Sequence, residues 1–158
     1  MERPYRSVRQ LLASKPEGVH TVNLDAMVWD ALQLMAEKDI GAVVVVEGGR
    51  IVGLLSERDY ARKGILVGRT ARETPVREVM NETVFTVTPE QSVPECMALM
   101  TAHRTRHLPV VGEGRMIGVL SIGDLVKEVI SHHEHLIKDM ELERFILFSP
   151  GTYSCQPK

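Results

Sequence analysis

The strongest constraint on the fold of this chain is an internal duplication. A shift of 65 positions aligns residues 19–60 with residues 84–125 without a gap, and 14 of the 42 aligned pairs are identical. Self-similarity at a fixed offset is the signature of a repeated structural unit. One unit of about 60 residues buries little core, whereas two units packed face to face form a domain of ordinary size. The duplication therefore predicts a pseudo-twofold axis and two related clefts.

The composition is that of a globular domain, since 44% of the 158 residues are hydrophobic and 25% are charged. The longest apolar runs, such as residues 42–46, are far shorter than the roughly 20 residues that a membrane helix needs. The N-terminus has no apolar signal core. The two cysteines, Cys96 and Cys155, lack metal-ligand spacing and fit a reducing compartment. We therefore expect a cytoplasmic protein without membrane association.

The net charge argues against nucleic-acid binding, but one segment of the chain has a local excess of basic residues. The net charge is -2, whereas a nucleic-acid protein would show an overall basic face. Residues 50–77 nevertheless carry seven basic side chains against three acidic ones. These basic residues form either a solvated helix face with a basic linker or a positive rim around a phosphate-bearing ligand. They are Arg50, Arg58, Arg62, Lys63, Arg69, Arg72 and Arg77.

Each repeat has the same predicted element order, β-α-β-β-α. Short extended stretches at 19–22 and 84–87 lead into helices whose apolar side chains recur at helical spacing. Two aliphatic strands follow, joined through turns at 47–50 and 112–115, and the Gly-Gly pair of the first turn supplies positive φ. Continuous aliphatic strands of this kind predict sheets that are covered by helices.

These patterns predict an α+β protein in which the two repeats pack with pseudo-twofold symmetry. A short capped helix precedes each repeat, with Ser7 and Thr74 as N-caps and Pro75 as a first helical residue. We place the first domain at 7–65, a linker at 66–74, the second domain at 75–130, and a C-terminal helix and tail at 131–158.

A repeated motif at the end of a strand carries the predicted chemistry. It reads GLLSERD at 53–59 and GVLSIGD at 118–124, and a helix begins at Ser56 and at Ser121. Backbone N–H groups and the helix dipole favour a phosphate at such a junction. The serine hydroxyl adds a donor, and the aspartate one turn later can accept hydrogen bonds from both ribose hydroxyls. The motif therefore favours a nucleotide.

The same motif also fits a helix cap. Ser-x-x-Asp before an apolar run is a capping pattern in which nothing binds. Gly53 and Gly118 lie three residues before each serine, and a glycine leaves space for a ligand to approach the backbone. Recurrence of the motif in register also favours a ligand, but the capping interpretation stays open.

With these motifs the chain resembles the cystathionine β-synthase (CBS) domain family, and the tandem resembles the CBS pair called a Bateman module. The resemblance covers residues 7–130, and stand-alone bacterial members are similar in the stretches IGAVVVV, SERDYAR and RHLPVV. It implies a non-catalytic regulatory module that binds AMP, ADP, ATP, NAD(H) or S-adenosylmethionine between the paired domains. It also implies a homodimer shaped as a flat disc, with no catalytic cofactor.

The resemblance also assigns roles to residues of both repeats. Asp59 and Asp124 would hold ribose hydroxyls, and Ser56 and Ser121 would contact phosphate or ribose. The remaining residues would surround the adenine: its edge would meet the backbone of Thr21, Val22, Thr86 and Val87, and its faces would pack against Val43, Leu108 and Pro109.

The two clefts differ in their basic residues. In the family a basic residue before the second strand often reaches phosphate, and Arg106 and His107 occupy that place. The first repeat has Gly41 and Ala42 there instead. Its cleft would take charge from Arg58 or from the group Arg62, Lys63 and Arg69, or would be weaker or empty. We therefore expect two unequal sites.

Two further hypotheses compete with nucleotide binding. An interaction module without ligand would use the Ser-x-x-Asp motifs only as caps. A small metal-dependent hydrolase would use the cluster His132, His133, Glu134 and His135, in which His132 and His135 lie at i, i+3 on one helix face, although no matching third ligand is evident. No nucleophile elbow, phosphate loop or metalloprotease helix is present in the sequence, which favours a protein that is not an enzyme.

Overall fold

The structure is a computed structural model that describes residues 4–15 and 18–148. Up to residue 63 the elements are α1 (Val8–Ala13), β1 (Thr21–Asn23), α2 (Val28–Lys38), β2 (Ala42–Glu47), β3 (Arg50–Ser56) and α3 (Glu57–Lys63). Short 3-10 turns follow at Ile65–Val67 and Val76–Glu78. The remaining elements are α4 (Val93–His103), β4 (His107–Gly112), β5 (Arg115–Ser121) and α5 (Ile122–Phe148).

Two small sheets confirm the predicted α+β class. In the first sheet β1 runs parallel to β2, and β2 is antiparallel to β3. In the second sheet β4 is antiparallel to β5, and the counterpart of β1 is reduced to a parallel bridge between Val87 and Val110. Both hairpin turns lie where the sequence predicts them, and the left-handed residues are Gly48, Gly49, Glu113 and Gly114. Positive φ at both central turn residues matches the right-handed twist of the strands.

Helices α2 and α4 occupy equivalent places in the two repeats and bury equivalent faces. Helix α2 buries Val28, Ala31 and Met35, and α4 buries residues 65 positions later, Val93, Cys96 and Met100. Each set forms one wall of a repeat's hydrophobic core against the aliphatic strands. The helical periodicity in the sequence is therefore confirmed in both repeats.

The segments that precede the repeats are exchanged between the cores. Val8 and Leu11 of α1 pack into the core of the second repeat. Val76, Val79 and Met80 pack into the core of the first. Backbone bridges between Ser7 and Ser92 and between Met27 and Pro75 accompany this exchange. Each packed unit therefore combines one repeat with the leading segment of the other, so packed units and sequence repeats are different stretches of chain.

The two leading segments also differ in local structure. Helix α1 has the predicted cap, because Gln10 N donates to the Ser7 side chain and the Gln10 side chain accepts from Ser7 N. The predicted cap at Thr74 is wrong. Its hydroxyl instead donates to the Thr70 carbonyl at 2.7 Å, and Pro75 occupies the cap position of a three-residue 3-10 turn. Proline has no backbone N–H and no side-chain acceptor, so this turn begins without a capping bond.

Helix α5 continues well beyond the second repeat. It spans 27 residues to Phe148, which confirms the predicted helical extension past residue 130. Residues 149–158, including Cys155, lie outside the described part of the chain. Among the described residues, no helix is both long enough and apolar enough to cross a membrane.

Candidate functional site

Both Ser-x-x-Asp motifs form reciprocal caps at strand-to-helix junctions. In the first repeat Ser56 N donates to Asp59 Oδ2 at 2.9 Å, and Asp59 N donates to Ser56 Oγ at 3.0 Å. In the second repeat the equivalent distances from Ser121 and Asp124 are 2.8 and 3.2 Å. The capping geometry that the sequence left open is therefore present in both repeats. One aspartate oxygen is used in each cap.

The helix N-termini offer fewer free donors than the sequence indicates. Glu57 N, the first helical donor of α3, donates to the Gly41 carbonyl at 3.1 Å. Ile122 N donates to the Arg106 carbonyl at 2.8 Å in the equivalent bond of α5. Asp59 and Asp124 donate their own N–H groups to the cap serines. A phosphate at either junction would therefore depend more on side-chain cations than on the helix ends.

The space beside the two motif glycines is filled by protein. A Cβ on Gly53 would lie 2.5 Å from Met80 Sδ, and one on Gly118 would lie 2.7 Å from Leu12 Cδ2. Leu12 and Met80 belong to the exchanged leading segments. The interpretation of these glycines as room for a ligand is therefore wrong, because their missing side chains admit the leading segment of the other repeat.

A lysine from outside the repeats binds the second aspartate. Lys15 Nζ lies 2.7 Å from Asp124 Oδ2 and 2.7 Å from the Val119 carbonyl. Burial opposes ionisation of Asp124, but the hydrogen bonds from Lys15 and Ser121 outweigh it and lower the pKa of this carboxyl. In the first repeat the carbonyl equivalent to that of Val119 belongs to Leu54, and it accepts from the backbone N of Asn81 at 2.8 Å instead of from a lysine. Sequence reasoning missed Lys15, which is 109 residues from Asp124 and has no motif around it.

His107 lies between the two motifs. A Cβ on Gly41 of the first repeat would lie 3.7 Å from His107 Nε2, so this side chain reaches across from the second repeat. Burial lowers the pKa of His107, the charges of Lys15 and Arg106 lower it further, and the carboxylates Asp124 and Asp59 oppose this. Both motif aspartates therefore act on the same central imidazole.

The predicted adenine contacts are divided between core and surface. Val22, Val43, Val87 and Leu108 are at most 9% exposed and belong to the two hydrophobic cores. Their side chains present little surface to a ligand in this structure. Pro109 is also buried, whereas Thr21 and Thr86 are exposed. Of the two residues that take the place of Arg106 and His107 in the first repeat, Ala42 is buried and Gly41 is exposed.

Some main-chain groups predicted to meet the adenine edge already have partners. Val87 N donates to the Pro109 carbonyl at 3.0 Å, and the Val87 carbonyl accepts from Val111 N at 2.9 Å. Val22 pairs with Val45 in the parallel β1–β2 ladder. The backbone N–H of Val87 is therefore already used within the protein and is not free to bind the adenine edge.

The basic run at 50–77 divides into separate contacts. Arg69 pairs with Glu78, and Arg77 pairs with Asp25. The Arg72 guanidinium stacks over the Trp29 ring at 3.7 Å from the centroid. Arg58 and Arg106 are exposed near the helix N-termini. Lys63 Nζ also donates to the Met80 carbonyl at 3.4 Å. Four of the seven basic residues thus serve local contacts, and the run is not one continuous phosphate rim.

Two cavities lie away from the Ser-x-x-Asp motifs. One of about 500 Å³ is lined by Trp29, Tyr60, Ile65 and residues 68–72. The other, of about 510 Å³, lies between the N-terminal segment and α5 and is lined partly by Tyr5, Glu128 and His135. Arg69, a candidate phosphate contact of the first cleft, lines the first cavity, but the residues of the two Ser-x-x-Asp motifs line neither cavity.

The histidines of α5 have contacts of their own. His132 lies against Tyr5 with ring centroids 4.1 Å apart, and His135 Nδ1 lies 2.7 Å from the Ser131 carbonyl. Within residues 4–15 and 18–148, no group of three or more His, Cys, Asp or Glu side chains is arranged to hold a metal ion.

Comparison with known families decides the identity of the repeats. The CBS domain family matches residues 8–65 and 76–131, which are the two duplicated segments together with their leading helices. The chain belongs to the CBS domain family. Its two CBS domains follow one another in tandem, and the exchanged segments Val8–Ala13 and Val76–Glu78 stand at the start of the two matches.

Relatives of known name support this assignment. The mitochondrial CBS domain-containing protein CBSX3 of Arabidopsis thaliana is 41% identical over 134 residues, which are 82% of this chain and 63% of that protein. The chain thus spans less than two thirds of that relative's length. A protein with CBS domains from Burkholderia ambifaria, assigned to signal transduction, is 52% identical with a TM-score of 0.76, covering 80% of this chain and 95% of that one.

A third relative was solved with metal. Hypoxic Response Protein I of Mycobacterium tuberculosis, which holds two coordinated zinc ions, is 27% identical with a TM-score of 0.65. The similarity covers 77% of this chain and 98% of that one. Taken with the family match, these similarities identify a CBS-domain protein of the regulatory type.

Proposed function

We propose that this tandem CBS protein is a non-catalytic regulatory module that binds an adenosyl ligand, AMP, ADP, ATP or NAD(H), at its Ser-x-x-Asp motifs. The observation that carries the proposal is the pair of equivalent strand-to-helix junctions, one in each repeat, at which Ser56 with Asp59 and Ser121 with Asp124 have the same geometry. Two carboxylates at related strand-to-helix junctions can accept hydrogen bonds from the hydroxyls of two riboses. The family match extends over both motifs.

The first repeat offers the more accessible carboxylate. Asp59 uses Oδ2 in its cap, and among the described residues no cation forms an ion pair with it. In the second repeat Lys15 Nζ and Ser121 N both donate to the same oxygen, Asp124 Oδ2. A ribose at the second motif must displace the Lys15 ammonium or share the carboxylate with it. The surroundings of the two motifs therefore differ, and Lys15 adds a competitor at the motif that has Arg106 and His107 nearby.

Ligand binding would regulate by selecting one state of the protein. A ligand shifts a conformational equilibrium only by its difference in affinity for the two states. Lys15 follows α1, which packs on the second repeat and brings the N-terminal segment to the site. Release of Lys15 from Asp124 on binding would loosen this segment, and that change can be transmitted to a partner protein.

Calorimetric titration of three variants tests the proposal. AMP, ATP, NAD(H) and S-adenosylmethionine are titrated into the wild type, Asp59→Asn and Asp124→Asn. Loss of a charge-assisted hydrogen bond to ribose costs about 1.5–3 kcal/mol, so each variant should weaken its own site at least tenfold. Asp39→Asn is the matched control, because this exposed left-handed residue at the end of α2 tolerates asparagine. No heat and no thermal shift at millimolar ligand would refute the proposal.

An interaction module without ligand is the alternative that the caps themselves favour. Both reciprocal caps account for Ser and Asp without any ligand. This function predicts that Asp59→Asn and Asp124→Asn lower stability by about 1 kcal/mol, as loss of a cap does, and leave partner contacts unchanged. The calorimetric titration therefore separates the two functions directly.

Three accompanying features belong to the same proposal. The protein forms a homodimer, acts in the cytoplasm and needs no metal. A metal-dependent hydrolase built on His132 and His135 would require stoichiometric zinc or manganese, and zinc is present in the structure of Hypoxic Response Protein I. Elemental analysis of the purified protein decides this point, and one bound metal ion per chain would overturn the metal-free assignment.

A further inference from the structure

A cavity of about 510 Å³ lies where the segment before the first CBS match meets the helix that extends beyond the second. Residues 4–6 line it and precede the first match, which begins at residue 8. His132 and His135 of α5 also line it and follow the second match, which ends at residue 131. The volume is that of a small-molecule site, about 300–1,000 Å³. The first repeat has no equivalent cavity wall, because α3 ends at Lys63, the position equivalent to Glu128.

A buried ion pair fixes the shape of this cavity. The Glu128 side chain is 5% exposed and accepts from Arg6 N at 3.0 Å and from Arg6 Nε at 2.6 Å. Arg6 Nη2 also lies 2.6 Å from Glu128 Oε2. The Tyr5 ring lies against that of His132, with centroids 4.1 Å apart. These contacts hold the N-terminal segment on α5, so a ligand would enter a preformed site and would lose little affinity to ordering it.

The polar groups that these contacts leave over are mainly hydrogen-bond donors. Glu128 takes up the Nε and Nη2 side of the Arg6 guanidinium, so the Nη1 N–H groups lie outside the pair. Gln10 Oε1 accepts from Ser7 N at 2.9 Å, which leaves the side-chain NH2 of Gln10 for a ligand. Ser131 adds a hydroxyl to the lining. A guanidinium edge beside amide and hydroxyl donors favours an anionic oxygen group, a carboxylate or a phosphate.

The charges of the lining favour a single negative charge on the ligand. Apart from two imidazoles, the lining carries one positive charge, on Arg6, and one negative charge, on Glu128. A dianionic phosphate would bring two further negative charges close to Glu128, whereas a carboxylate brings one. The rings of Tyr5 and His132 supply aromatic surface, against which a second aromatic ring can pack. A carboxylate attached to an aromatic ring therefore fits both the polar and the aromatic part of the lining.

We propose that the cavity between residues 4–6 and α5 binds a small aromatic monocarboxylate. Its carboxylate accepts hydrogen bonds from Arg6, Gln10 and Ser131, and its ring packs against Tyr5 and His132. This site is separate from the Ser-x-x-Asp motifs, none of whose residues line the cavity. Neither ribose nor phosphate takes part in the recognition, so the site does not depend on a bound nucleotide.

NMR titration of the full chain with benzoate tests the binding. The ring signals of His132 and His135 should shift and saturate with a Kd on the order of 1 mM, as expected for so small a ligand. The signal of His20 in the first repeat should stay in place. Benzamide has the same shape without the charge and should bind at least tenfold more weakly, and phenyl phosphate should also bind more weakly than benzoate. No saturable shift of the two α5 histidines, equal binding of benzamide or tighter binding of phenyl phosphate would overturn the proposal.

Gln10→Glu tests where the carboxylate lies. Glutamate keeps the acceptor for Ser7 N and so preserves the cap of α1, but it replaces the NH2 donor by a negative charge. The variant should keep the wild-type Tm and bind benzoate at least tenfold more weakly. Gln91→Glu is the matched control, because Gln91 Oε1 accepts from Thr88 N at 2.8 Å in the same way and Gln91 does not line the cavity. Wild-type affinity in Gln10→Glu, or an equal loss in Gln91→Glu, would contradict binding beside Arg6.

Discussion

The two Ser-x-x-Asp sites share their local geometry and differ in what reaches them from elsewhere. Both cap a helix with the same two backbone hydrogen bonds. Asp124 also binds Lys15, whereas the carbonyl next to the first site is occupied by the backbone of Asn81. Duplication therefore preserved the motif, while the exchanged leading segments made the two sites unequal. The difference between two copies of a motif depends on long-range packing more than on the motif itself.

The two leading segments also pack differently against the motif glycines Gly53 and Gly118, and here we expect the largest difference in stability between equivalent variants. Gly53→Ala should destabilise the protein by about 1–3 kcal/mol, as overpacking does, and by more than Gly118→Ala. The new Cβ at residue 53 meets the Asn81 carbonyl at 3.1 Å, which is backbone and is held by two hydrogen bonds between Asn81 and Leu54. Near Gly118 the close atoms all belong to the Leu12 side chain, which can move. Urea unfolding measures both changes.

Two further variants control this measurement. Gly123→Ala should be neutral or slightly stabilising, because its nearest neighbour, Ser121 Oγ, lies 3.6 Å from the new Cβ and alanine favours the helix. The double variant Gly53→Ala with Met80→Ala should lose less stability than the sum of the single variants, because Met80 is the side chain that clashes. A larger loss for Gly118→Ala than for Gly53→Ala would contradict the proposed role of the Asn81 backbone.

The sequence predicted well what depends on neighbours along the chain. The turns at Gly48 and Glu113, the apolar face of α2 and the start of α3 at Ser56 all follow from local spacing and turn chemistry. Periodicity shows which face of an element is buried but not which element covers it. Periodicity therefore could not predict that α1 packs on the core of the second repeat, or that Gly118 leaves room for Leu12.

For the same reason the sequence predicted where the two motifs lie but not which residues from elsewhere in the chain contact them. Sequence comparison between the repeats correctly paired Ser56 with Ser121 and Asp59 with Asp124 at equivalent junctions. Lys15 is a single lysine near the N-terminus, and only the three-dimensional fold brings it to Asp124. The prediction that the second site is the stronger one remains a prediction, and Lys15 is the residue with which to test it.

Removal of the Lys15 charge should make the two sites more alike. Lys15→Met should cost about 1 kcal/mol or less, because the pair is partly exposed. It should raise the pKa of Asp124, which NMR titration of the carboxyl carbon measures. If the proposed ligand site is correct, the variant should also bind adenosine more tightly at the second site, since no ammonium has to be displaced. Lys63→Met is the control, because Lys63 Nζ donates to the Met80 carbonyl at 3.4 Å and forms no ion pair with any residue that the structure describes. An unchanged Asp124 pKa would contradict the ion pair.

The smallest expected effect is a pH dependence centred on His107. Folding lowers the pKa of His107, mainly through burial, so the unfolded chain takes up a proton on this residue before the native protein does. Stability should therefore fall as the pH is lowered through the ordinary histidine value of about 6.5, by about 1 kcal/mol or less. The lowered pKa of Asp124 acts in a separate window, because its contribution is present above about pH 4 and is lost at lower pH.

Urea unfolding of His107→Gln at pH 7.0 and 5.5 isolates the His107 contribution. The variant should lose less stability than the wild type between these two values, because glutamine does not titrate. His133→Gln, at an exposed position of α5, should retain the wild-type difference. The groups that face His107 from both repeats are Lys15, Arg106, Asp59 and Asp124, so Lys15→Met should reduce the same pH dependence by removing a nearby positive charge. If His107→Gln lost as much stability between pH 7.0 and 5.5 as the wild type does, protonation of His107 would not be the cause of the pH dependence.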